Sequence, residues 1–164
     1  MKAKKDALIW IVLAAVVPLT LFVGLSVGTY AYAYRYRRFC DDLVGEIARV
    51  QREDSLTAES EGVYTRVLAR NADGLYREIV NAQLCGYETE RPEGACVRLD
   101  FGNGVQMELY EGTEGGLVVY YEQPGEDPLI LDLDESARFL NVQRLVSVQW
   151  GNELLEETEI KEET

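Results

Sequence analysis

The sequence predicts an α+β protein. An N-terminal transmembrane helix continues into an amphipathic helix, and a small antiparallel β-sheet domain with about two packed helices follows. Three observations predict this. A run without charged residues extends from Ala7 to Tyr34. Apolar residues at helical spacing come next. From Val97 onward, short segments of alternating polarity are separated by Gly- and Pro-rich turns.

Residues 1–6 form a basic tail, with Lys2, Lys4 and Lys5. The run at 7–34 has 28 residues. At a helical rise of about 1.5 Å it reaches about 42 Å, more than the roughly 30 Å hydrocarbon core of a bilayer. In lipid a lone segment satisfies its backbone polar groups only as a helix. The basic tail and Ala31-Tyr32-Ala33 also have the form of a signal peptide and its cleavage site. The run is far longer than a signal-peptide core of about 7–15 residues, so an uncleaved anchor is expected. Arg35, Arg37 and Arg38 nearly balance the lysines across the span. A short lysine tail is awkward to translocate, which favours the N-terminus inside and the domain outside the cell. Trp10, Tyr30, Tyr32 and Tyr34 lie near the span's ends, as interfacial anchors do. Pro18 falls mid-span, where it can kink the helix. Gly24 and Gly28 form a GxxxG, a spacing that lets two helices approach closely as helix-dimer contacts.

Residues 35–53 are read as a juxtamembrane helix. Phe39, Leu43, Ile47 and Val50 fall on one face. Residues 54–151 form the soluble domain. Its first part admits two readings, a hairpin ending in VYTRVL or one helix from Glu59 to Leu84. The adopted reading is strands and then a helix from about Ala72 to Leu84, with Asn71 as N-cap and Asp73 in its first turn. VRLDF and VQMELY make a hairpin around Gly102-Asn103-Gly104. LVVYYE and LILDL are further strands, separated by the QPGEDP turn. Asp134 caps a helix, ESARFLNVQRLV, offering Ala137, Leu140, Val142 and Leu145 to the core. SVQW is a final short strand. In the acidic tail, residues 152–164, Leu154 and Leu155 can finish a helix and the last residues fray.

Charge and composition exclude several functions. From Arg35 onward there are 13 basic and 28 acidic residues, a net charge of −15. Such a surface repels phosphate backbones, so nucleic acid is not an expected partner. There is no histidine, which removes Ser-His-Asp and Cys-His nucleophile systems and imidazole zinc sites. Cys85 and Cys96 flank a polar segment and can form a disulfide in an oxidising space, or remain as buried thiols. Cys40 is expected as a small apolar residue on a helix face. Paired carboxylates abound but define no separation for acid–base work. DLDE, at 132–135, lacks calcium-loop spacing. The glycine turns match no phosphate-binding loop. Tyr110, Tyr120 and Tyr121 are candidate exposed rings on the sheet. No catalytic, cofactor-binding or metal-binding residue is assigned, and no cofactor is expected.

The order of membrane helix, continuing helix and antiparallel sheet resembles type IV pilin-like proteins in architecture. The glutamate that family carries inside its early hydrophobic run has no counterpart in ALIWIVLAAVV. The expected function is that of a single-pass membrane-anchored, non-catalytic protein. Its acidic extracytoplasmic domain binds or senses something at the cell surface. The alternative is a structural subunit of an envelope or pilin-like assembly. The expected partners are the lipid bilayer and either another membrane or envelope protein or a second copy of the chain.

Overall fold

The computed structural model describes residues 2–155, with side chains from Val16 onward. The chain is α+β, with one long apolar N-terminal helix, two further helices and an eight-stranded antiparallel sheet. It divides into two compact units, Met1–Asp41 and Asp42–Thr164.

The first unit is helical. Helix α1 spans Lys2–Glu53 without a break and passes through Pro18. It is the one helix, among the described residues, long and apolar enough to cross a membrane, and its most apolar window is wholly exposed. Phe22 is 69% and Leu25 71% exposed. Its described serine and threonine hydroxyls are satisfied within the helix. Ser26 Oγ donates to Phe22 O at 2.8 Å, and Thr29 Oγ1 to Leu25 O at 2.8 Å. Such back-bonding removes the cost of a bare hydroxyl in an apolar medium.

The second unit begins inside α1, at Asp42. Leu43, Ile47 and Val50 are all buried, so this part of the amphipathic helix belongs to the domain core. The strands are β1 (Thr57–Ser60), β2 (Val63–Arg66), β3 (Leu84–Tyr87) and β4 (Cys96–Asp100). They continue as β5 (Gln106–Glu111), β6 (Leu117–Glu122), β7 (Leu129–Leu133) and β8 (Glu153–Leu154). Spatial order is β3-β7-β6-β5-β4-β1-β2-β8. Helices α2 (Ala69–Val80) and α3 (Phe139–Val146) pack on each other. A Cβ at Gly74 would lie 2.9 Å from Leu145 Cδ2, which marks how closely they approach.

The sheet has two unlike faces because side chains alternate along each strand. Val97, Leu99, Met107, Leu109, Leu117, Val119, Leu131 and Leu133 are buried on one face. With Leu75 and Ile79 of α2 and Val142 and Val146 of α3, they form the core. The opposite face carries Glu59, Arg98, Glu108, Tyr120 and their neighbours. The β4–β5 turn needs two left-handed residues, and Gly102 (φ 77°) and Gly104 (φ 82°) supply them. α1 holds this turn. Arg49 Nη2 donates to Phe101 O at 2.6 Å, and Asn103 Nδ2 donates to Glu46 Oε2 at 3.0 Å.

Several expectations are corrected. The hairpin reading is the one observed, but the helix after it starts at Ala69 rather than Ala72. Asn71 does not cap it. The residue is buried, and its amide donates to Asn152 Oδ1 at 2.7 Å. Asp134 does not cap α3. It accepts from Gln83 N at 3.0 Å and from Ser136, closing a turn five residues before the helix. Leu140 faces solvent, 56% exposed, because the helix starts at Phe139 and turns that position outward. SVQW is not a strand. Val148–Trp150 is a 3-10 turn that Gly151 ends at φ 83°. The last strand is instead β8, and Leu155 after it is buried, its amide donating to Tyr64 O at 3.0 Å. The acidic tail from Glu156 onward lies outside the described residues, as does the side chain of Trp10.

Candidate functional site

The features most able to meet a ligand lie on the sheet face away from the helices. Register builds two rows there. Glu59 of β1 pairs with Arg98 of β4, Arg98 with Glu108 of β5, and Glu108 with Tyr120 of β6. Beside it, Thr57 pairs with Asp100, and Asp100 with Gln106.

Glu108 is the centre of the first row. It is 6% exposed, the one buried carboxylate among the described residues. Arg91, from the loop between β3 and β4, donates to it through Nε at 2.8 Å and also through Nη2. Arg98 Nε donates to Glu108 Oε1 at 3.2 Å, and its Nη1 reaches Glu59 Oε2 at 2.8 Å. The Tyr110 hydroxyl donates to Glu108 Oε2. Two arginines therefore meet two glutamates, and the cluster is neutral. Burial raises the Glu108 carboxyl, but the donors from Arg91 and Tyr110, and then Arg98, outweigh it and hold the group below its ordinary value. Burial and the Glu108 carboxylate push the Tyr110 phenol up to about 12. The Arg91 guanidinium also stands over the Tyr120 ring, 4.7 Å from its centroid, in cation–π geometry.

A groove of about 320 Å³ runs beside this cluster. Glu59, Arg98 and Glu108 of the first row and Thr57, Asp100 and Gln106 of the second form its floor. Tyr64 and Leu155 line one side, and Ser55 and Gly102 one end. Among the described residues, the Thr57, Tyr64 and Gln106 side chains engage no partner. Ser55 Oγ is buried and makes no hydrogen bond. Asp100 accepts from Gly102 N at 2.8 Å and has no cationic partner.

Cys85 and Cys96, read as a possible disulfide or as two buried thiols, form no bridge in the structure, and Cys85 is exposed. Cys85 lies on β3 and Cys96 on β4, four steps apart across the sheet. At about 4.8 Å per strand that is about 19 Å, beyond the roughly 7 Å Cα limit for a bridge. The segment between them is not a closed loop, since its first residues pair with β7. Burial raises all three thiols: Asp132 and Asp134 add to the shift at Cys85 and Glu108 at Cys96, while at Cys40 a Tyr36 hydrogen bond opposes it. None of the three is activated as a thiolate. Gly24 and Gly28 lie one turn apart on α1, and a Cβ at either would meet no atom within 4 Å. Of the three candidate exposed tyrosines, Tyr110 and Tyr121 are buried, and Tyr120 is half-buried under Arg91. The exposed ring of the site is Tyr64, at 37%. Among the described residues no group of three or more acidic or cysteine side chains is placed to hold a metal ion.

Compared with known proteins, the chain matches no family model, no curated protein and no solved structure.

Proposed function

We propose that this protein is a single-pass membrane-anchored, non-catalytic binding or sensing module. α1 holds the chain in the bilayer, and the domain displays the uncovered sheet face outside the cell. One observation carries the reading. A helix whose apolar window is wholly exposed is joined in one chain to a domain whose described residues leave a grooved sheet face uncovered. Water is a poor solvent for the first, and lipid is a good one. The second is concave and holds several unpartnered polar groups, which is how ligand sites are built. Raised thiols and a fully paired Glu108 fit binding better than chemistry.

Hydroxyl-radical footprinting of alkaline-washed native membranes tests this. The chain should pellet with the membranes, and Tyr64 should be oxidised less there than in purified protein. Exposed Trp150 should be oxidised equally in both. A chain released by the wash, or equal oxidation of Tyr64, contradicts the reading. The assembly alternative draws on Gly24 and Gly28, which lie open on α1 for a second helix. It predicts multiples of the chain after crosslinking through Cys40.

A further inference from the structure

We infer that the groove between β2 and β5 takes a neutral, hydroxyl-rich ligand, a saccharide. The inference rests on the reading above that the open sheet face is the ligand surface.

Charge is decided first. Glu59, Arg98, Glu108 and Arg91 compensate one another through contacts of 2.8–3.2 Å and the second Arg91 donor. A charged ligand would have to break these pairs to gain a counter-ion. An anion is opposed further by Asp100 and by the acidic surface around it. A cation would find one unpaired carboxylate, that of Asp100, which already accepts from Gly102 N at 2.8 Å.

The uncharged groups point the same way. Thr57 and Gln106 stand on the floor beside Asp100, and Ser55 closes the end. Thr57, Gln106 and Asp100 together offer a hydroxyl, a primary amide and a free carboxylate oxygen. Adjacent hydroxyls on a sugar ring both donate and accept, so they can satisfy such a mixed set, as a simple alcohol or an apolar ligand cannot. The Tyr64 ring stands at the side, where the apolar C–H face of a pyranose can lie on it, and its hydroxyl is unpartnered. The volume of about 320 Å³ suits one or two sugar rings, with the open ends leaving room for a longer chain.

The test uses the full chain in phosphatidylcholine nanodiscs, because maltoside detergents carry a sugar headgroup. Saturation-transfer NMR and calorimetry follow binding of tetramers of β-1,4-glucose, β-1,4-N-acetylglucosamine and α-1,6-mannose, with spermidine as the cationic probe. At least one tetramer should bind, and Tyr64→Ala and Gln106→Ala should each weaken it at least tenfold. Arg77→Ala on α2 should leave affinity unchanged. The inference is overturned if no tetramer binds, or if binding ignores both groove substitutions. Spermidine binding that Asp100→Asn abolishes, without saccharide binding, also overturns it. A Tyr64 protected in native membranes alongside either result removes the saccharide and keeps the binding face; an unprotected Tyr64 removes both.

Discussion

Arg91 Nε donates to Glu108 Oε2 at 2.8 Å, joining the loop before β4 to the middle of β5. The carboxylate is 8% exposed at its side chain and the guanidinium 53%, so a buried acceptor is served by a donor that solvent still reaches. The pairing lets β5 carry a glutamate between Met107 and Leu109 without stranding its charge.

Glu108→Gln keeps the shape and removes the charge. Arg91 and Arg98 remain in water, so the loss is that of the charge-assisted hydrogen bonds, about 1–3 kcal/mol. Urea unfolding of the full chain in nanodiscs, followed by near-UV circular dichroism, should show this drop. Arg91→Ala should cost less, because Arg98 and Tyr110 still serve the carboxylate.

The same cluster fixes how stability depends on pH. The Glu108 pKa is lowered in the fold, so its contribution is complete above the unfolded value of about 4.3 and is lost as pH falls through the folded one. Tyr110 and Tyr121 are both raised to about 12. Their contribution is complete below the unfolded value of about 10 and is lost as pH rises towards 12. Glu108→Gln should flatten the acid limb. Tyr110→Phe should remove one late-ionising phenol from an absorbance titration at high pH.

Asn152 should be the most sensitive polar residue near the C-terminal strand. Its Oδ1 accepts from Leu68 N at 3.0 Å and Asn71 Nδ2 at 2.7 Å. Its Nδ2 donates to Leu145 O at 2.7 Å and Ser147 O at 3.1 Å. At 3% exposure no water replaces these bonds. Asn152→Ala should cost at least about 2 kcal/mol in the same unfolding measurement. Asn152→Asp should fare no better, since a carboxylate cannot donate to the two carbonyls.

Local chemistry made much of this fold legible. Alternation placed β4 and β5, an apolar run placed β6, and glycine and proline turns set their limits and set off β7. The four-residue step of Phe39, Leu43 and Ile47 marked a face that is buried. What was not legible depends on pairing across the sheet. β3 contains a glycine and a register shift between Leu84 and Gly86, so LCGY carries little strand signal of its own. The choice left open between a Cys85–Cys96 bridge and two thiols could not be made from sequence proximity, which says nothing of strand order: β7, β6 and β5 lie between the two strands. Glu108 was visible only as an acid on the polar side of an alternating strand. Its arginine partners stand 17 and 10 residues away; register sets Arg98 beside it, and the loop before β4 delivers Arg91. Tyr64 was hidden for the same reason, since the groove it lines is made by four strands and Leu155.

The claim that α1 anchors the domain across a membrane is tested most directly at Cys85, which is exposed on the edge strand β3. A chain with Cys40→Ser and Cys96→Ser carries that thiol alone. Intact cells are treated with a membrane-impermeant maleimide, and washed membranes are probed for labelled chain. Full labelling before lysis, on a chain that stays with the membranes, is the predicted result. Labelling only after lysis would place the domain inside, and labelled chain in the soluble fraction would contradict the anchor itself.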